Sequence, residues 1–515
     1  MSAPPTLPAA SGRVTTPDWL WLAIALLCGL GLMSPLVNAG PLALDEHGSY
    51  WLVDSDIPSS VQQRSLDYAA IPPLSAWLEQ LFLALFGHSE FVFRLPSAVC
   101  YLAAIVVTWL VTAELSDRTA AGMAALLVAW FPDVDEVRIA RCYGLLMLLG
   151  ALLPWCTVRW RRRPQSPFWL VLWSTVAAGM MWTHYVALPL IGMCWLTLFV
   201  PPEQREHPRI GKLMAIGAGA LAAVLCLPLL PAIQRLREWS PVLNYMPEGQ
   251  PWWKMLGPLW WAAVPAGLAL AWLLRGRGAA VPVNIRRMLL PALWTIVPLL
   301  VLVVLARGDM SSLANPRYRI PYAAGAACLI AVALRSINPR TVVNAVSAVT
   351  AIAVAWFLAD ARPWDLRRLG APADTEWRDA AFRIEKSGQP DEPVFVQSGL
   401  VESYLVPALY DDPLFLEYVG CRISRFYLPS RHSRIGMPYF YESPPELGSR
   451  FQSLMSTASS TPASFWIAAA TDTDLNRASL AGLEQLARSA GFELALEQRG
   501  PNMTLVRYQR PAETP

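Results

Sequence analysis

The sequence predicts an α-helical polytopic membrane protein of about eleven transmembrane helices followed by a soluble C-terminal α/β domain. Three observations carry this prediction. Of the 515 residues, 55% are hydrophobic and only 15% charged, against roughly 25% charged in an ordinary soluble domain. Mean hydropathy is positive, +0.36, and apolar runs approaching the ~20 residues that span a bilayer recur along the first two thirds of the chain. The 23 tryptophans are numerous enough to furnish aromatic belts at the membrane–water boundary. A soluble globular enzyme is thereby disfavoured. With a formal charge of +3 and arginines in short scattered clusters, the electrostatic footprint of a nucleic-acid binder is missing too.

The elements follow in order. Residues 1–18 read as a cytoplasmic tail, and Trp19 to Ala39 as an uncleaved first helix, because the Pro/Ala-rich start lacks the basic region of a signal peptide. A first outer loop, 40–90, contains Pro72 to Gly87, a segment of about 16 residues, too short and too amphipathic to span, which is expected to lie along the interface. Further spans read as Phe91 to Ala113, Thr119 to Phe131, Tyr143 to Val158, Phe168 to Met181, Val186 to Val200, Leu213 to Leu230, Leu256 to Leu274, Met288 to Ala306, Ile320 to Leu334 and Val342 to Leu358. The positive-inside rule supports this count: Arg118, Arg159 to Arg163, Arg205 to Lys212, Arg275 to Arg287, and Arg335 with Arg340 all fall on one side. That side is the cytoplasm, in an inner or plasma membrane, and an odd number of spans sends the chain beyond Leu358 to the extracytoplasmic face. The transmembrane domain is thus 19–358.

Residues 359–515 change composition and contain no spanning run. Pro393 to Val396 and Phe465 to Ala468 read as buried strands, Leu480 to Ala490 as a helix and Thr504 to Tyr508 as a closing strand. Tyr404, Tyr410, Phe415, Tyr418, Phe426, Tyr427, Tyr439, Phe440 and Tyr441 form either a sugar-stacking surface or an ordinary apolar core. Of the eight cysteines only Cys421 lies in this part, and neither a CxxC pair nor a zinc-type His/Cys spacing occurs. No metal site is expected.

Candidate chemistry sits at the outer helix ends. Asp45, Glu46 and His47 follow the first helix; a carboxylate in a partly desolvated cleft there can have a raised pKa and act as general base. The same acidic pair would equally suit the first turn of a loop helix. Asp135, Glu136, Arg138 and Arg141 lie at a second outer junction, where Arg141, at the mouth of an apolar helix, can pair with a phosphate in two-pronged fashion. Arg317, Tyr318 and Arg319 precede a late helix and suit a lipid-linked phosphate or, alternatively, a snorkelling interface anchor. His184 and Tyr185 occupy a further outer junction.

The order of these pieces resembles the GT-C membrane glycosyltransferases, above all the bacterial branch related to protein O-mannosyltransferases and to the aminoarabinose transferase of lipid A. The resemblance covers residues 19 to 335. It rests on the acidic pair after helix one, the proline pair Pro72-Pro73, the stretch Phe86-Gly87-His88-Ser89-Glu90 running to Arg94-Leu95-Pro96-Ser97-Ala98, the stretch Ala140-Arg141-Cys142-Tyr143-Gly144-Leu145-Leu146, and Arg317-Tyr318. The chain departs from the pattern at Ile71, where relatives commonly have His, and at Arg138 and Ile139, where they often carry Gln-Glu.

The resemblance implies a transferase that moves a sugar from a polyprenyl-phosphate donor to a glycan, lipid or protein acceptor on the extracytoplasmic face. Asp45, with Glu46 adjoining it, would be the catalytic acid pair. Arg141, Tyr143, Arg317, Tyr318 and Arg319 would hold the donor phosphate, and His47, Arg94, Asp135, Glu136, His184 and Tyr185 are candidates for further substrate contacts. No cofactor is required; a divalent cation is compatible with such a site but not demanded by it. The partners are the lipid-linked donor, the acceptor and membrane lipids. Two other readings compete: a transporter or flippase of a lipid-linked glycan, and a non-catalytic membrane scaffold. Transporters carry ionisable groups near mid-membrane, whereas here the charges cluster at helix ends, which favours chemistry at the membrane surface.

Overall fold

Apolar runs punctuated by Pro, Gly and short polar turns set the helices of this chain. A computed structural model describes residues 19–34, 40–68, 71–130, 134–200, 210–236, 238–244, 285–308, 310–337, 340–361, 372–389, 391–400, 405–428, 432–437, 448–449, 451–453, 455 and 462–511. The described chain is mostly helical, with one small sheet near its C-terminal end. Helix α1 is Leu20–Met33, and the loop that follows folds into α2 (Leu44–Val53), α3 (Val61–Asp67) and α4 (Leu74–Phe86). Then come α5 (Glu90–Leu115), α6 (Arg118–Ala129), α7 (Val134–Arg138), α8 (Tyr143–Arg162), α9 (Pro167–Met181) and α10 (Leu188–Thr197). The bundle continues with α11 (Lys212–Cys226), α12 (Leu230–Arg235), α13 (Ser240–Leu243), α14 (Ile285–Arg307), α15 (Ala323–Ile337) and α16 (Arg340–Ala361).

Among the described residues, Glu90–Leu115, Tyr143–Arg162, Lys212–Arg235 and Met288–Arg307 are long and apolar enough to cross a bilayer, and six shorter apolar helices accompany them. Leu27, Leu213, Val304 and Trp356 point outward from the bundle and are largely exposed, as expected of side chains whose surroundings are hydrocarbon rather than water. The expected span Leu256 to Leu274 lies outside the described residues, as do 35–39 at the end of the first span. Helix α4 has 13 residues, about 20 Å at 1.5 Å per residue, which falls short of the ~30 Å hydrocarbon layer.

Local chemistry fixes the helix ends. Gly87, with φ of 86°, closes α4 in a left-handed conformation that suits glycine. Two residues on, the Ser89 hydroxyl accepts from Val92 N at 3.2 Å and starts α5. Asp117 caps α6 by accepting from Ala120 N at 2.9 Å and pairs with Arg335 at 2.7 Å. Helix α6 has only 12 residues and is buried on nearly every side, its small side chains letting α1, α5, α15 and α16 close around it.

Two glycines of α8 set the close approaches on which the candidate site depends. A Cβ on Gly144 would collide with Ser97 of α5, and one on Gly150 with the carbonyl of Pro321. The start of α8 therefore nestles against α5, and the 3-10 segment Pro316–Tyr322 lies across α8. Tyr322 anchors that segment by donating to the Val186 carbonyl at 2.6 Å.

The C-terminal part holds α17 (Pro372–Ser387), α18 (Pro413–Val419), α19 (Asp474–Ser489) and a five-stranded mixed sheet of order β2-β1-β3-β5-β4. Its strands are β1 (Val394–Gln397), β2 (Arg434–Gly436), β3 (Ser464–Ala470), β4 (Glu493–Arg499) and β5 (Met503–Gln509). Strand β1 runs parallel to both neighbours, with Phe395 opposite Ile435 and Ile467, while β5 is antiparallel to β3 and β4. The expected strands at 393–396, 465–468 and 504–508 and the helix at 480–490 correspond to β1, β3, β5 and α19. The sequence reading missed β4, an edge strand exposed along most of its length, whose charged residues mask the periodicity of a buried strand. It also missed β2, three residues long.

One apolar core joins this part to the loop after α1: Leu42, Tyr50, Trp51 and Val61 pack with Trp377, Phe415, Tyr418 and Tyr427. The burial of Phe415, Tyr418 and Tyr427 makes them core rather than sugar-stacking surface. Tyr404, Tyr439, Phe440 and Tyr441 lie outside the described residues.

Candidate active site

Glu46 builds the frame. In the first turn of α2 its carboxylate accepts from the backbone N of Ala43 at 2.9 Å, closing the helix end. It also accepts from Ala140 N at 2.7 Å and from Arg94 of α5, Nε at 2.7 Å and Nη2 at 2.5 Å. Arg94 in turn donates to the carbonyls of Gly40 and Pro41. Glu46 is fully buried, and a buried carboxylate is tolerable only when paired and hydrogen-bonded in this way. The loop after α1, α5 and the turn before α8 are thus tied at one point.

That frame leaves Asp45 facing the other way. Its side chain is 41% exposed, with Oδ2 3.1 Å from Nη1 of Arg317 and 3.8 Å from Nη2 of Arg141. Arg141 also donates to the Asp45 carbonyl at 3.3 Å. The Arg141 guanidinium, with Arg317 beside it, holds the Asp45 carboxyl below its ordinary range against the opposing effect of burial. The sequence had suggested a raised pKa for a carboxylate here; the two guanidiniums reverse the sign, because an opposite charge at contact outweighs partial desolvation.

Aromatic rings wall the cluster. Arg317 lies over Tyr143 and Tyr318, 5.9 and 5.4 Å from the ring centroids, and His184 contacts both tyrosines, 6.3 and 5.3 Å between centroids. His184 Nδ1 accepts from Val186 N at 3.2 Å, so its proton is on Nε2. Burial, then the nearby Arg317 and Arg141, lowers its pKa to about 3. The imidazole is neutral.

The structure therefore brings Asp45, Arg141, Tyr143, His184, Arg317 and Tyr318 together. It does not bring in Glu46 or Arg94, which are spent on each other and on backbone. Asp135 is at the surface, paired with Arg138 one turn on, and Glu136 is half-buried on the same short helix. His47 is buried, its Nδ1 3.0 Å from Ser424 Oγ in the C-terminal part. Arg319 is buried, and Tyr185 is half-buried against Leu66 and Leu229.

Two guanidiniums against one carboxylate leave a positive charge over, and Nε of both Arg141 and Arg317 is buried without a hydrogen-bond partner among the described residues. Planar donors in a fork of this kind match phosphate or carboxylate oxygens, and a neighbouring carboxylate can accept a proton. The sequence reading passed over Glu79, which the fold buries on α4 within the field of Arg141; only its helical spacing from Ser75 and Leu83 could have marked it.

Residues 70–231 match the family model described as dolichyl-phosphate-mannose-protein mannosyltransferase. Among solved structures, the chain is similar to ArnT from Cupriavidus metallidurans in the apo state, at 15% identity and a TM-score of 0.59 over 95% of this chain and 97% of that one. It is similar to the same protein bound to undecaprenyl phosphate, at 16% identity and a TM-score of 0.55, again over 95% and 97% of the two chains. It is also similar to the Archaeoglobus fulgidus oligosaccharyltransferase tethered with an acceptor peptide, at 11% identity and a TM-score of 0.52 over 94% and 73%. A search of curated protein sequences finds no match. The chain thus shares the fold of ArnT and of the archaeal oligosaccharyltransferase, with the mannosyltransferase-family match confined to residues 70–231.

Proposed function

We propose that this protein is an integral-membrane glycosyltransferase that moves a sugar from a polyprenyl-phosphate donor to a glycan, lipid or protein acceptor on the extracytoplasmic face of the inner membrane. The observation that carries the reading is the placement of Asp45 between Arg317 and Arg141. The family match and the similarity to a protein bound to undecaprenyl phosphate support the donor class.

In this reading Arg141 and Arg317 bind the donor's phosphate, with Tyr143 and Tyr318 shaping the site and His184 lining the substrate's path. The acceptor's hydroxyl or amine attacks the anomeric carbon and gives its proton to Asp45. The bond between that carbon and the phosphate oxygen breaks with inversion, and polyprenyl phosphate departs. The leaving phosphate gains a negative charge in that step, and preformed guanidiniums stabilise it where it develops. The organisation is a cytoplasmic tail, 1–18, a transmembrane domain, 19–358, of about eleven spans, and an extracytoplasmic domain, 359–515, that packs on the loop carrying Asp45.

The test is turnover of a radiolabelled polyprenyl-phosphate sugar by the purified protein in lipid, wild type beside Asp45→Asn. Release of polyprenyl phosphate that depends on Asp45 supports the transferase. Binding without release, across several donors with acceptors supplied, refutes it in favour of transport or scaffolding. A reporter fused after Pro515 that is active only in the cytoplasm refutes the topology.

A further inference from the structure

Glu79 is a buried carboxyl without a use in the mechanism above. On α4 the buried side chains are Ser75, Ala76, Glu79 and Leu83, one stripe of the helix. Ala76 and Leu83 pack in the same core as Ala140, the neighbour of Arg141. Glu79 itself is 4% exposed and has no hydrogen-bond or ion-pair partner among the described residues. Leaving a polar group buried and unpaired costs folding free energy, so a glutamate here asks for a ligand.

The groups facing it come from each neighbouring element. Arg141 acts on it from the turn before α8 and Glu46 from α2; the Cys142 thiol is also within its reach. Helix α5 contributes Arg94, which is committed to Glu46. Helix α4 has no other titratable side chain, and Trp182, whose carbonyl accepts from Leu74 N, brings no charge. Burial raises the Glu79 pKa to about 8, Glu46 adding to the rise and Arg141 opposing it. At neutral pH the side chain is mostly a neutral acid, able to donate one hydrogen bond and accept others.

Glu79 is near enough to Arg141 to feel its charge but is not ion-paired with it, so it neighbours the guanidinium that would hold a phosphate without belonging to the fork. In a lipid phosphate carrying a sugar, the group one bond beyond the phosphate is the sugar ring. We infer that Glu79 is a sugar-recognition residue, bonding a ring hydroxyl of the sugar carried on the donor's phosphate. The inference rests on the glycosyltransferase reading.

It is tested with the full-length protein in lipid nanodiscs and two probes, polyprenyl phosphate and a polyprenyl-phosphate hexose. At pH 7, wild type, Glu79→Gln and Glu79→Leu bind polyprenyl phosphate equally. Glu79→Leu loses about tenfold in affinity for the sugar-bearing probe, the worth of one hydrogen bond, and Glu79→Gln recovers most of it. Wild-type affinity for that probe falls above about pH 8, where an ionised Glu79 sets a second negative charge beside the phosphate, and Glu79→Gln shows no such fall. Equal affinity of all three proteins for the sugar-bearing probe overturns the inference, and so does an alkaline fall that persists in Glu79→Gln. Where Glu79→Leu fails to fold, the pH profile of Glu79→Gln decides alone. A wild type that binds neither probe overturns the donor reading, whereas one that binds both without regard to Glu79 overturns only this inference.

Discussion

Arg317 Nη1 lies 3.1 Å from Asp45 Oδ2 although 272 residues separate the two in the chain. The contact joins the loop after α1 to the segment before a late helix, and it exists because Gly150 lets the Pro316–Tyr322 turn rest on α8. Replacing Asp45 with Asn keeps the size and removes the charge. Transfer in Asp45→Asn is expected to fall by about 10²- to 10⁴-fold, the usual worth of a proton acceptor, with the protein still eluting as a folded species. Near-wild-type turnover of labelled donor would reject the role of Asp45 as base.

The guanidiniums make a separate prediction. Lys in place of Arg keeps the charge but loses the planar fork, so Arg317→Lys and Arg141→Lys should each weaken binding of polyprenyl phosphate by at least tenfold. Equilibrium binding of the labelled lipid measures this directly. An affinity unchanged in both variants would mean that the phosphate is held elsewhere.

Glu46 and Arg94 should behave as structure. Removing one partner of a buried ion pair strands the other, at about 3–5 kcal/mol, so Glu46→Gln or Arg94→Leu should lower the melting temperature sharply or abolish folding. The double variant Glu46→Leu/Arg94→Met strands neither charge and should melt above either single variant. The order of the melting temperatures is the readout, and a double variant less stable than both singles would contradict a paired structural role.

His47 gives a pH dependence of stability. Its pKa is lowered to about 3 by burial, with Arg422 and Arg94 adding to the effect. Between its unfolded value near ~6.5 and about 3 the unfolded chain binds a proton that the folded chain does not, so stability falls as the pH drops through that window. His47→Gln should flatten the fall between pH 6.5 and 4 in thermal melts, and an unchanged slope would show that other groups set it. Asp45, with its pKa held low, adds stability above its ordinary carboxylate range that is lost only at lower pH.

What the sequence by itself determined is what depends on local composition. Twenty-residue apolar periodicity, arginine bias between runs and alternation in short segments are properties of neighbours along the chain. They carried the membrane class, most helices of the described chain and the strands β1, β3 and β5. They also marked Asp45, Arg141, Tyr143, His184, Arg317 and Tyr318, because charged and aromatic side chains at the ends of apolar helices are conspicuous. Tertiary structure alone decided how these residues divide. Asp45 and Glu46 are adjacent in sequence, yet a helical step of about 100° turns one toward Arg317 and the other toward Arg94. It decided that Asp135 stays with Arg138 at the surface, that the C-terminal part shares a core with the loop after α1, and that Glu79 is buried without a hydrogen-bond partner among the described residues. Each of these depends on which elements meet across the fold, and that is settled by packing at positions such as Gly144 and Gly150 rather than by any pattern of neighbours in the chain.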